Sequence, residues 1–198
     1  MLGLICKSLE GFVRDQHGDL QWERIRRAAR LPFERFEALR IYDDAVLMDL
    51  VAATGGVLDR RQSPLLEDIG HWICTHRPLE PVRRLIRFSG TSFVDLLFSL
   101  EEIEDRARIA LPNLHLPQFR VELTASDEFV VTSQWMVPGA AAVLTGMLRA
   151  MADDYGTLAI IERGGLSQDG DTVIETISVR VIEDTFHEPR EFTLGGVP

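Results

Sequence analysis

Side chains able to do chemistry are sparse in this 198-residue chain, and most of them have an ordinary structural reading. His71, Cys74 and His76 stand close enough together to suggest a metal. On a helix, however, positions 71 and 74 share a face while 76 lies well around the cylinder, and no fourth ligand is evident. The spacing fits a helix surface with one buried thiol better than a zinc site. Cys6, set among Leu4, Ile5 and Leu9, reads as a small core residue. As a reactive thiol it would need a basic neighbour, and Lys7 alone is at hand. Asp43-Asp44 and Asp153-Asp154 read as solvated acids of a turn and a helix end, not as the paired carboxylates of a hydrolase. A Walker loop, GxGxxG, GxSxG and HExxH are all absent from the sequence, so the nucleotide-binding and hydrolytic signatures are excluded. With no nucleophile–base pair to assemble, an independent enzyme is the weakest reading and the expectation is a chain without catalytic activity.

Glu104 is different. Phe93, Leu97, Leu100, Glu104, Ala107 and Leu111 recur at the spacing of one helical face. A carboxylate on such a stripe costs several kcal/mol unless it is paired, protonated or open to water. Two readings stay open. In one the helix end frays, or Arg106 or Arg108 curls back to the carboxylate. In the other Glu104 faces a pocket.

The elements that would position these residues change in kind along the chain. Helical periodicity dominates the first part. Leu4 to Val13 form a helix ended by Gly18. A second helix covers 20–30 with Leu20, Trp22, Ile25 and Ala28 inward. A third, Ala45–Thr54, stops at Gly55-Gly56, and a fourth starts at Ser63-Pro64 with Leu66, Ile69, Trp72 and Ile73 inward. A long helix then spans about 91 to 111. From Pro117 the period becomes two: Phe119, Val121 and Leu123 alternate with polar residues, and a turn at 125–128 leads into Phe129–Met136. Pro138-Gly139 opens a helix carrying Leu144, Met147, Leu148, Met151 and Tyr155. Thr157–Arg163 and Thr172–Ile182 form a second hairpin joined by 164–171. The predicted fold class is α+β: a helical N-terminal part followed by a ββαββ antiparallel-sheet part. One domain is expected over 1–185, with a loose tail over 186–198.

Composition narrows the partners. The net charge is −10, all of it in residues 101–198. That excess disfavours nucleic acid, since it offers no cations to displace counterions from a phosphate backbone, and it disfavours an anionic membrane surface. The opening MLGLICKSLEGFV lacks a basic signal region, and two cysteines make no disulfide framework, so a reduced, cytoplasmic protein is expected.

The order of these segments resembles one family. MLGLICKSLEGFVRDQHGDLQWERI resembles the first two helices of the haem–nitric oxide/oxygen-binding (H-NOX, HNOB) domains. RRLIRFSGTSFVDLLFSLEEIEDRARIALPNLHLPQF resembles their signal-bearing helix and the loop after it. VVTSQWMVPGAAAVLTGML resembles the strand-to-helix segment that follows. The similarity runs from Met1 to about Ile182. It implies a haem held by a histidine on the long helix, with a Tyr-x-Ser-x-Arg motif for the propionates. In this sequence the histidine position falls on Glu104, and the motif falls on Val131-Thr132-Ser133-Gln134-Trp135. Only Ser133 matches. Ferrous haem prefers a neutral imidazole and propionates prefer a guanidinium fork, so Glu104, Val131 and Trp135 are read as altered pocket positions and no haem is expected. Trp135 shares a strand face with Phe129, Val131 and Ser133, where it either fills the vacated volume or is a surface aromatic paired across strands. The leading expectation is a sensory or regulatory module, with a signalling partner such as a histidine kinase or a cyclic-di-nucleotide enzyme. Two alternatives remain: a gas (NO/O2) sensor holding haem through Glu104, Cys6 or a nearby histidine, and a binding domain for a small apolar ligand.

Overall fold

The computed structural model describes residues 3–87 and 90–190, the side chain of residue 110 excepted. Helices fill the first part: α1 (Gly3–His17), α2 (Asp19–Ala28), α3 (Asp44–Leu58), α4 (Gln62–Thr75), α5 (Glu80–Arg87), α6 (Phe93–Ser99) and α7 (Ile103–Ala110). The strands β1 (Gln118–Ala125) and β2 (Glu128–Trp135), the helix α8 (Ala140–Tyr155) and the strands β3 (Leu158–Asp169) and β4 (Thr172–Glu183) complete the chain. The strands form one antiparallel sheet in the order β1-β2-β4-β3. This is the expected α+β arrangement.

Several boundaries differ from the sequence reading for identifiable reasons. The long helix over 91–111 is broken. Ile103 N donates to Leu100 O in a 3-10 turn over Leu100–Glu102, because the Ser99 carbonyl is taken instead by Arg106 Nη2 at 3.2 Å. The Ser99 hydroxyl bonds back to Leu96 O at 2.7 Å, which further weakens the helical ladder there. Helix α3 runs through Gly55-Gly56 and ends only at Asp59, which takes the left-handed conformation. The cost of two mid-helix glycines, about 1 kcal/mol each, is offset by Val57 and Leu58 packing on the helical core. Leu20 is 83% exposed on α2, where the inward face is carried by Trp22 and Ile25. Helix α4 begins one residue before Ser63, and α5 had no counterpart in the sequence reading. Residues 164–169, read as a connection, instead extend β3 past an irregularity between Arg163 and Leu166. Beyond β4, the amides of Phe186 and His187 donate to Gly156 O, and that of Arg190 donates to Asp154 O.

Two hydrophobic cores result. One joins Phe93, Leu96 and Leu97 of α6 to the inner face of α8 and to Val121, Phe129, Val131, Ile177 and Val179 of the sheet. The other lies within α1–α4 around Trp22, Ile25, Phe36, Leu50, Leu65 and Trp72. What unites them is a close crossing of α4 and α8. A Cβ added to Gly70 would lie 1.9 Å from Val143 O, and one added to Gly146 would lie 1.8 Å from Glu67 O. Only glycine lets the two backbones approach so closely. Beside the crossing, Glu67 of α4 pairs with Arg149 of α8 and Arg163 of β3, at 2.6 and 2.7 Å.

On each rim of the sheet a side chain takes up one backbone group. Glu101 Oε1 accepts from Val121 N of β1 at 2.8 Å. Arg149 Nη2 donates to Ile161 O of β3 at 3.0 Å.

Candidate functional site

Glu104 sits one residue into α7, just past the 3-10 turn that rests on the rim of β1. Its side chain is 13% exposed, and Oε1 accepts from Arg108 Nη2 at 2.7 Å. His115 Nδ1 stands 4.0 Å from the same oxygen. The apolar stripe holds only through its first half. Phe93, Leu97 and Leu100 are buried, whereas Ala107 and Leu111 are half-buried, because the 3-10 turn changes the phase of the helix. The arrangement is the one in which Arg108 curls back one turn to the carboxylate.

Strand β2 presents Phe129, Val131 and Ser133 inward, each under 5% exposed. Val131 lies between Val121 of β1 and Ile177 of β4, and Ser133 lies between Phe119 and Glu175. The Ser133 hydroxyl donates to Glu175 O at 3.4 Å, so it turns toward β4. Trp135, at the end of the strand, is half-buried and packs against the helical core, not the sheet core. Val137 joins the same core two residues on. The end of β2 is thus lodged in the helical layer.

Glu175 was not among the sequence candidates. Its carboxylate accepts from Gly139 N at 3.0 Å and Ala141 N at 3.2 Å, capping the first turn of α8. The signal for it stands in the sequence, since the strand parity that turns Ile177, Val179 and Val181 inward turns Glu175 inward as well.

Elsewhere the candidates disperse. Cys6 is fully buried, and that burial pushes its thiol up to about 11. Cys74 is pushed up to about 12, first by burial and then by the nearby Asp154. Neither is a reactive thiolate. His71 is exposed. His76 stacks on Trp72, with ring centroids 4.5 Å apart, and approaches Asp15 at 3.3 Å. Among the described residues no group of three or more His, Cys, Asp or Glu side chains could hold a metal. Asp154 is not a solvated acid. It is buried, and its carboxylate accepts from Arg83 and Arg87 of α5, while Tyr155 donates its hydroxyl to Arg87 O and Gly90 O. The reason it escaped the sequence reading is that its partners sit on the unforeseen helix α5. Asp43, by contrast, is exposed as expected, and it accepts from Ala45 N as the N-cap of α3.

Two cavities are outlined by described residues. One, about 290 Å³, lies between the ends of α1 and α4 beside His17, Asp68 and His71. The other, about 530 Å³, lies between the start of α6 and residues 184–189. Neither borders Glu104, Val131, Ser133 or Trp135.

The fold is that of a helical layer joined to an antiparallel four-stranded sheet with one covering helix, and it is the fold of the H-NOX proteins. The chain belongs to the haem-NO-binding (HNOB) family, whose sequence profile matches residues 2–163. Solved structures similar to it include an unliganded Fe(II) H-NOX mutant from K. algicida, 18% identical with a TM-score of 0.77, covering 94% of this chain and 99% of that one. An H-NOX mutant from T. Tengcongensis is 13% identical with a TM-score of 0.76, covering 94% and 100%. A Cs H-NOX mutant is 12% identical with a TM-score of 0.77, covering 95% and 100%. In sequence, the chain is 19% identical to soluble guanylate cyclase 89Db of Drosophila melanogaster over 155 residues, which is 78% of this chain and 23% of that protein. It is 19% identical to soluble guanylate cyclase 89Da of the same organism, over 81% of this chain and 24% of that protein. The chain thus spans about a quarter of the length of the curated relatives it matches. No helix among the described residues is long and apolar enough to cross a membrane.

Proposed function

We propose that this chain is a sensory or regulatory module of the H-NOX type that works without haem and acts through a protein partner, not as an enzyme. The observation that carries the proposal is the state of Glu104. At the position the resemblance gives to the ligand histidine stands a carboxylate already paired with Arg108 at 2.7 Å. Carboxylate is a poor ligand for ferrous haem, and here one of its oxygens already accepts from Arg108.

The remaining positions support the same reading. Val131 and Trp135 stand where the resemblance puts the propionate-binding Tyr and Arg. The first is fully buried in the sheet core, and the second is packed into the helical core. Ser133 directs its hydroxyl to the neighbouring strand. These residues do not fit haem, and no step of the function is assigned to it. The curated relatives are named guanylate cyclases, in which the matched stretch is about a quarter of the chain. That fits a regulatory module attached to or docking on an output protein, such as a histidine kinase or a cyclic-di-nucleotide enzyme.

The test is an absorption spectrum of protein expressed with added haem and passed through gel filtration. The expected result is no Soret band approaching one haem per chain. A stoichiometric Soret band that survives the column overturns the proposal.

A further inference from the structure

We infer that the outer face of the sheet, at the end where β3 begins and β4 stops, is a docking surface for an amphipathic helix of a partner protein, one whose apolar stripe is flanked by lysine or arginine. The inference rests on the reading of the chain as a module that acts through a protein partner, and it names the surface. It starts from strand parity. Ile161 and Val179 are paired and lie in the sheet core with the inner face of α8, so the adjoining pair, Ile160 and Arg180, faces outward. A step in the register between Leu158 and Ala159 leaves Ile182 as an extra residue on β4, and such a bulge re-aims a side chain. Leu158, Ile160 and Ile182 are 37%, 41% and 50% exposed. Phe186 adds a fourth exposed apolar side chain at this end, where its amide donates to Gly156 O.

A single exposed aliphatic residue is ordinary, whereas several gathered at one place and rimmed by charge mark a contact surface. The edge of β3 limits what can settle there. Arg149 occupies Ile161 O, so a partner strand cannot extend the ladder past that point. The inner face is covered by α8. What remains is an element lying across the outer face, and a helix with an apolar stripe is the element that covers a sheet in this way. Charge selects its flanks. Glu128, Glu162, Glu183 and Asp184 are exposed around the patch, and none of them shares an ion pair among the described residues. The cation set against them is Arg180, opposite Glu128 in the register. Such an excess attracts basic flanks and repels an acidic helix, or a second copy carrying the same carboxylates.

The probes are two fluorescein-labelled helical peptides with the same leucine stripe, at i, i+3, i+4 and i+7, one with lysine beside the stripe and the other with glutamate. Each is titrated with the unaltered chain and followed by anisotropy. The lysine peptide is expected to bind at least about tenfold more tightly than the glutamate peptide. Ile160→Ser combined with Ile182→Ser should weaken the lysine peptide about tenfold, whereas Leu20→Ser, exposed far along the chain on α2, should leave it unchanged. Glu162→Gln combined with Glu183→Gln should weaken the lysine peptide and flatten its dependence on salt.

Equal binding of the two peptides overturns the inference, and so does no binding of the lysine peptide up to about 1 mM. Undiminished binding by the Ile160→Ser, Ile182→Ser protein overturns it as well, since the peptide would then be held elsewhere. A dimer of the unaltered chain on gel filtration that the same double variant returns to monomer overturns it in favour of a second copy. If that variant does not fold, the Glu162→Gln, Glu183→Gln protein and the two peptides decide. The absorption spectrum tests the haem-free reading and the peptide titration tests this face, so each can fail while the other stands.

Discussion

Removing the Glu104 carboxylate tests how much its pair with Arg108 is worth. Arg108 is 43% exposed, so it returns to water when its partner is lost and no buried charge is orphaned. Glu104→Leu is therefore expected to cost no more than about 1 kcal/mol in urea melts at neutral pH. Trp135→Ala should cost more, about 2 kcal/mol, less than a fully enclosed aromatic because the ring is only half-buried. A Trp135→Ala loss within about 0.5 kcal/mol would return that residue to the surface. Asp15 supplies the pH dependence. The Trp72 Nε1–H, 2.8 Å away, holds its carboxyl below the usual range, with Gln16 adding to the effect. A depressed folded-state value means that stability is present above the ordinary carboxylate range and is lost as pH falls through the folded value. Asp15→Asn should therefore flatten the decline in stability below about pH 4, read from melts at successive pH values. At this scale the sequence was legible where one residue broke a pattern, as Glu104 breaks its stripe. It was illegible where the partner came from a distant element, as Arg83 and Arg87 do for Asp154.

At the scale of elements, the change of period from helical to alternating marked the passage from helices to sheet correctly, because burial on one face dictates both patterns. Ends were harder. Gly55-Gly56 looked like a stop, yet tertiary packing carried α3 onward. The break after Ser99 depends on Arg106 reaching back across a turn, which no local propensity encodes. The α4–α8 crossing was equally hidden, since nothing in the sequence alone pairs Gly70 with Gly146. It should also be the least tolerant place in the fold. Gly146→Ala drives a methyl group against Glu67 O and should cost about 3 kcal/mol, measured by chemical denaturation. Parting the helices would also weaken the Glu67 pairs with Arg149 and Arg163.

For the whole molecule, that crossing makes two cores behave as one. Unfolding of the unaltered chain followed by the fluorescence of Trp22, Trp72 and Trp135, all packed in the helical core, should coincide with unfolding followed by hydrogen exchange of the β2 and β4 amides. Two separated midpoints would show that the halves melt independently. The guarded rims of the sheet bear on how the protein behaves in company. A bare outer strand offers its amides and carbonyls to any passing chain and seeds fibrils. Here a carboxylate blocks an amide on one side and a guanidinium blocks a carbonyl on the other. Copies crowded together therefore meet an obstruction at Val121 on one outer strand and at Ile161 on the other, and each interrupts the run of backbone groups that edge-to-edge pairing would use.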